Sequence, residues 1–153
     1  MKICRRFKFE AAHQLPYHDG KCRRLHGHSY RMELMFSGPV QPLQADNPQS
    51  GFVADFGRLD RIIRTELIDR YLDHYALDES VPGLPYSSAE LLSAWIMAWC
   101  MSHLDGRPEL GAIRSETVRV WETVNAWAEA DRQDAQPFLS AVAAVTAGGV
   151  SET

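Results

Sequence analysis

The sequence predicts an α+β fold, an antiparallel sheet of four strands with two helices on one face, in the order strand, strand, helix, helix, strand, strand. Three observations carry that expectation. Two segments near the start alternate apolar and polar residues, the mark of half-buried strands. Two later segments repeat apolar residues at helical spacing behind capping signals. A final pair of short alternating segments flanks a turn at Asn125.

In order, residues 2–10 set Ile3, Phe7 and Phe9 against Lys2, Arg6, Lys8 and Glu10, which reads as a strand. Residues 11–25, mostly polar with Pro16 and Gly20, read as a long loop. Residues 26–37 (HGHSYRMELMFS) alternate again until the Gly38-Pro39 turn. Asp55 is the expected N-cap of a helix whose apolar face uses Leu59, Ile62, Ile63, Leu67 and Ile68. Ser87, three residues before Glu90, has the pattern of a capping box. The helix it opens would bury Leu91, Leu92, Trp95, Ile96, Trp99 and Cys100. Residues 112–122 and a short strand after Asn125 form the last hairpin. The domain is placed at 1–130, with 131–153 as a C-terminal extension containing a short helix near Phe138 to Val145 and carrying no recognisable chemistry.

A chain of 153 residues fits one domain, and 45% hydrophobic with 24% charged residues is ordinary for a globular protein. The net charge of -4 argues against non-specific nucleic-acid binding. Lys2, Arg5, Arg6, Lys8, Lys21, Arg23, Arg24 and Arg31 nevertheless crowd the first fifth of the chain, either a solvated face or a holder for a phosphate-bearing small molecule. Cys4, Cys22 and Cys100 are odd in number, widely spaced and without a CxxC, so no disulfide framework is expected. No secretory h-region and no long apolar span is visible, and the expected location is the cytoplasm.

His26 and His28 stand two apart on a strand, so both imidazoles point to one face. His13, just past the first strand, could add a third nitrogen if the two strands are neighbours. Three protein donors around zinc leave the fourth tetrahedral position open, the catalytic pattern. Against this stands an incidental His-x-His pair. His18 reads as a loop residue and His103 as a helix-end group.

Cys22 lies among Lys21, Arg23 and Arg24, whose charge favours the thiolate. It is open between a base or nucleophile and a fourth metal ligand. Cys4 and Cys100 read as core residues. Asp73-His74 is open between a proton relay and a surface pair. Glu122 ends a strand and is open between an exposed acid and an acceptor for a guanidine-like edge, such as a pterin's amino-pyrimidinone.

Together these segments resemble the family of 6-pyruvoyl-tetrahydropterin and 6-carboxytetrahydropterin synthases. The matching pieces are Phe9-Glu10-Ala11-Ala12-His13-Gln14-Leu15, Cys22 through Tyr30 (CRRLHGHSY), Gly51 through Phe56 (GFVADF), Leu72 through Leu77 (LDHYAL), Ser88-Ala89-Glu90 and Val120-Trp121-Glu122-Thr123. They run in family order to about residue 130. The resemblance implies the tunnelling fold, zinc (Zn2+) on His13, His26 and His28, and Cys22 as the catalytic thiol. It also implies Asp73 with His74 as the relay, Glu122 as the pterin anchor, and homo-oligomers, commonly hexamers, in which Cys22 and His74 meet across an interface. Lys21, Arg23 and Arg24 are candidates for the triphosphate. Three residues between Cys22 and His26 look like the bacterial 6-carboxytetrahydropterin synthases of the queuosine (preQ0) pathway. Those convert 7,8-dihydroneopterin triphosphate and water to 6-carboxy-5,6,7,8-tetrahydropterin, acetaldehyde and triphosphate. The other readings are triphosphate elimination to the pyruvoyl product and a non-catalytic zinc-stabilised binding module.

The sequence departs from the family pattern at Ser87-Ser88, where Pro-Thr is usual, at Leu91 and Asp78, where Asn is usual, and at Ala130, where Tyr is common. These positions bear on the shape of the pterin pocket.

Overall fold

The computed structural model describes residues 1–147. Strand β1 (Lys2–His13) pairs antiparallel with β2 (His26–Ser37), β2 with β4 (Arg114–Thr123), and β4 with β5 (Ala126–Asp131). That is the expected antiparallel sheet. It gains one strand the sequence did not announce: β3, only Tyr75–Ala76, adds parallel to β1 and makes the order β3-β1-β2-β4-β5. Two residues cannot show a period of two, so no pattern could have revealed it.

Side chains alternate across the sheet. Phe7, Phe9, Ala11 and His13 of β1, Tyr30, Met32, Leu34 and Phe36 of β2, and Val118 and Val120 of β4 are buried. Helix α1 (Phe56–Ile63) starts at Asp55, whose carboxylate accepts from the Arg58 N–H as expected. It runs on as a π-helix over Arg64–Leu72, burying Leu67, Ile68, Tyr71 and Leu72. After the one-turn α2 (Leu77–Ser80) comes α3 (Ala89–His103). Its cap is Ser88, which accepts from Leu91 N–H, and not Ser87, whose hydroxyl is bonded elsewhere.

Every residue of α3 from Leu92 to Cys100 is buried, so this helix needs cover on all sides. The sheet covers one side, through β4 and β5, and α4 (Leu139–Ala147) packs against it as well. Gly83 permits that closure: a Cβ there would stand 2.6 Å from the Ala141 Cβ. Ala135, Phe138 and Val142 join the same core as the sheet. The helix expected near Phe138 to Val145 is thus α4, while Gly148 to Thr153 lie outside the described residues.

Cys100 is fully buried, as expected, and burial pushes its thiol pKa up. Cys4 is a correction: it is only half-buried, because its place in the alternation of β1 puts it on the face away from the helices. Among the described residues no helix is long and apolar enough to cross a membrane.

Candidate functional site

The site is built where β1 ends and β2 begins. His13 and His26 are directly opposed in the ladder, and His28 follows two residues along the same face. Gly27 between them faces the other way, where a Cβ would come within 3.3 Å of the Ala11 carbonyl. Glu122 reaches the same point from β4. The β4–β5 register shifts between Trp121 and Thr123, leaving Glu122 without an opposite number. Such a bulge re-aims a side chain.

One nitrogen from each imidazole and one Glu122 oxygen lie within 4.8 Å of one another. The His13 and His26 Nε2 atoms are 3.1 Å apart, His13 Nε2 is 3.0 Å from Glu122 Oε1, and His28 Nε2 is 3.5 Å from the same oxygen. Zinc bonds of about 2.0–2.1 Å in a tetrahedron put neighbouring donors about 3.3 Å apart, so the spacing suits that ion.

The hydrogen bonds behind the rings point the same way. His13 Nδ1 is 2.8 Å from the Ser87 carbonyl and His26 Nδ1 is 2.7 Å from the Arg24 carbonyl. A carbonyl only accepts, so each Nδ1 carries the proton and each neutral ring turns a bare Nε2 lone pair inward. Two lone pairs facing at 3.1 Å repel unless a cation lies among them. His28 Nε2 is also buried without a hydrogen-bond partner among the described residues. Three nitrogens and a carboxylate are a zinc-type donor set, and the residues fit the ion.

Without a cation the charges adjust. Burial opposes charging His13, but the hydrogen bonds to Glu122 and to the Ser87 carbonyl outweigh it and raise its pKa. Burial lowers the pKa of His28. The hydrogen bond from His13 holds Glu122 below the usual carboxylate range, against its burial. Tyr30, stacked on Phe9 and edge-on to His13 and His28, keeps a buried hydroxyl with no partner among the described residues.

The loop from Gln14 to Leu25 folds back on the site. Leu15 N–H donates to the Cys22 carbonyl at 2.8 Å, which ties the single turn Lys21–Arg23 to the end of β1. Cys22 is half-buried with a free thiol. Lys21, Arg23 and Arg24 are exposed and form no ion pair among the described residues.

Asp73 and His74 follow the π-helix. Asp73 Oδ2 is 2.8 Å from His74 Nδ1, while Asp73 Oδ1 accepts from Glu10 N–H at 2.8 Å. That backbone bond, with help from His74, holds the Asp73 carboxyl below its ordinary pKa despite some burial. His74 has φ 63°, a left-handed backbone, with its N–H on the Glu10 carbonyl at 2.6 Å. Its ring is 76% exposed, so Nδ1 is oriented and Nε2 faces solvent.

His74 borders an open pocket of about 470 Å³ with Glu10, Gly27, His28 and Ser29. Cys22 does not line it, so one chain does not bring thiol and dyad together there. A larger cavity of about 620 Å³, lined by Lys8, Arg31 and Trp121 among others, includes none of the cluster's residues.

Asp78, singled out in the sequence only as a departure, and Ser87, read there as a departure and a helix cap, both touch the site. Asp78 Oδ1 accepts from the Ser87 hydroxyl at 2.5 Å and Asp78 Oδ2 from Gln14 N–H at 2.8 Å. Nothing in their spacing could have shown this, because the three segments meet only in the fold.

A protein from Synechocystis sp. named 6-carboxy-5,6,7,8-tetrahydropterin synthase is 44% identical over 96 residues, 63% of this chain and 71% of that protein. One of the same name from Haemophilus influenzae is 38% identical over 73 residues, 48% of this chain and 49% of its own. The solved structure of Caenorhabditis elegans 6-pyruvoyl tetrahydropterin synthase superposes with TM-score 0.68 at 24% identity, covering 86% of this chain and 94% of that one. At that identity it shows the shared fold. The sequence model described as 6-pyruvoyl tetrahydropterin synthase matches residues 2–133. The chain belongs to the 6-pyruvoyl tetrahydropterin synthase family.

Proposed function

We propose that the protein is a zinc-dependent carbon–carbon lyase that converts 7,8-dihydroneopterin triphosphate and water to 6-carboxy-5,6,7,8-tetrahydropterin, acetaldehyde and triphosphate, in the route to queuosine. The observation that carries this reading is the convergence of His13, His26 and His28, with both carbonyl-held rings turning Nε2 inward. The names of the relatives from Synechocystis and Haemophilus support the carboxy product.

His13, His26 and His28 would hold the zinc. When bound, the ion supplies Lewis acidity toward the oxygens of the substrate's side chain. The chain's own groups do the rest. Cys22 moves a proton at the side-chain carbons nearest the ring. His74, with Nδ1 held by Asp73, presents Nε2 as the second acid or base. Glu122 accepts from the amino-pyrimidinone edge. Its carboxylate, aimed inward by the bulge, stands close enough to the rings to set how the pterin lies against them. Lys21, Arg23 and Arg24, with no ion pair among the described residues, meet the triphosphate. Cys22 of one subunit and His74 of another complete the site in a homo-oligomer, a reading supported by the fact that Cys22 does not line the pocket beside His74.

The test is incubation of the zinc-loaded oligomer with dihydroneopterin triphosphate, with products identified by mass and acetaldehyde trapped as its hydrazone. Carboxytetrahydropterin with equimolar acetaldehyde is the expected result. Triphosphate release with no acetaldehyde would replace the reading by pyruvoyl-type elimination, and no product at all by a zinc-stabilised binding module.

A further inference from the structure

The segment from Asp73 to Asp78 holds β1 and the residue just after it at three places. Asp73 takes the Glu10 N–H, β3 pairs with Ala11 and Ala12, and Asp78 takes the Gln14 N–H. His13 sits between the two carboxylates, immediately before the residue held by Asp78. The second oxygen of Asp78 takes the hydroxyl of Ser87, and the Ser87 carbonyl in turn holds His13 Nδ1. One carboxylate thus fixes both backbone stretches that determine where the His13 ring points. The inner half of the group is enclosed, with Ser87 1% exposed and His13 0%, while Asp78 and Gln14 lie at the surface.

We propose that Asp78 and Ser87 act as a coupled positioning pair for the metal ligand His13, setting the affinity and geometry of the site without touching the ion. This rests on the reading of His13, His26 and His28 as zinc ligands. The chemistry of the pair is mutually dependent. A carboxylate offers only acceptors, and the buried Ser87 hydroxyl gives its proton to one Asp78 oxygen while Gln14 N–H holds the other. Proline at position 87 would supply no such donor. The two departures from the family pattern therefore fit each other, an acid at 78 and a hydroxyl at 87.

The two single changes differ in what they remove. Asp78→Ala frees both Gln14 N–H and the Ser87 hydroxyl. Ser87→Ala leaves Gln14 held but cuts the tie between Asp78 and the stretch that carries the residue-87 carbonyl. Asp78→Asn is the conservative control: its carbonyl keeps Gln14, and its amide donates to the Ser87 oxygen, so the geometry survives with the charge gone.

The experiment is zinc affinity by chelator competition on the parent oligomer and on Ser87→Ala, Asp78→Ala, Asp78→Asn and the double alanine variant. The visible spectrum of each cobalt-substituted protein is recorded alongside. Partners behind a ligating histidine commonly matter about 10–100-fold in metal affinity. Asp78→Ala is expected to lose that much, Ser87→Ala about tenfold, and the double variant no more than Asp78→Ala alone. The cobalt bands should shift in both single alanine variants and return toward the parent's in Asp78→Asn, a pattern that general loss of stability would not produce. Parent-like affinity and spectrum in Ser87→Ala would overturn the proposal, even where Asp78→Ala fails to fold. Losses that multiply in the double variant would overturn the coupling. A parent that binds no zinc would overturn the metal reading itself, and is seen before any variant is compared.

Discussion

His13 and His26 are opposite numbers across the β1–β2 ladder, and their Nε2 atoms stand 3.1 Å apart. Backbone pairing thus aims two rings at one point before any metal arrives. What the ladder leaves open is the positive charge that these donors gather around, which the hydrogen bond from His13 to Glu122 meets only in part.

A bound cation should therefore stabilise the fold as well as complete the site. Zinc at a thousandfold excess over its dissociation constant adds about 4 kcal/mol to a folded state that alone binds it. Thermal unfolding with and without a chelator is expected to differ by about 10 °C. His28→Ala should abolish most of that difference, since it removes a buried donor that has no other partner among the described residues.

Cys22→Ala is expected to remove turnover by at least 10³-fold, taking the usual scale of a lost proton-transfer group, while zinc content stays at the parent level. Metal analysis beside a product assay checks it. Loss of zinc in this variant would make Cys22 a ligand instead.

Glu122→Gln keeps size and shape but loses the charge facing His13. As pterin anchor it predicts a KM raised by about tenfold or more, the cost of roughly one charged hydrogen bond, with zinc affinity close to the parent's. The reverse pattern, weak zinc and ordinary KM, would assign the carboxylate to the metal.

Asp73 gives a pH signature. Its folded pKa is depressed, first by the Glu10 N–H and then by His74. A depressed carboxyl contributes stability that is fully present above its unfolded value, near pH 3.9, and lost as pH falls through the folded value. In zinc-free protein the stability advantage over Asp73→Asn should be constant from pH 5 to 7 and shrink below about pH 4. Solvent screening at this partly open site holds it to about 1 kcal/mol. Urea midpoints across that range measure it, and a gap that does not close in acid would rule out the carboxylate as its source.

Phe138→Ala tests the segment beyond β5. The side chain is 7% exposed within the common core. A cavity of that size costs about 3–5 kcal/mol, or about 10 °C in Tm. A change under 2 °C would show that this segment only rests on the domain.

The pairs of like-facing residues were legible where they sit close in sequence. His26 and His28 announce themselves by a spacing of two, and Asp55 by its place before an apolar repeat. His13 was a weaker sign, because its place opposite His26 depends on the register of a whole ladder. The π-turns after Ile63 could not be seen: Leu59, Ile62, Ile63, Leu67 and Ile68 suit an α-helix equally well. Nor could the inward aim of Glu122, which comes from a one-residue slip between strands. Ser87 and Ser88 competed for one cap, and the loser was recruited by Asp78, a residue nine positions earlier whose approach is purely tertiary.

His74 has consequences for how this protein can change. A left-handed backbone costs a side chain other than glycine about 1–2 kcal/mol, and here a histidine bears it. His74→Gly would relieve the strain and discard the imidazole in the same step. Selection for robustness alone would thus drift toward glycine at this position, and, on the role proposed for His74, selection for turnover would hold the histidine. The dyad's geometry is a place where the two pressures pull apart, so improved thermal tolerance found there should be screened for lost activity.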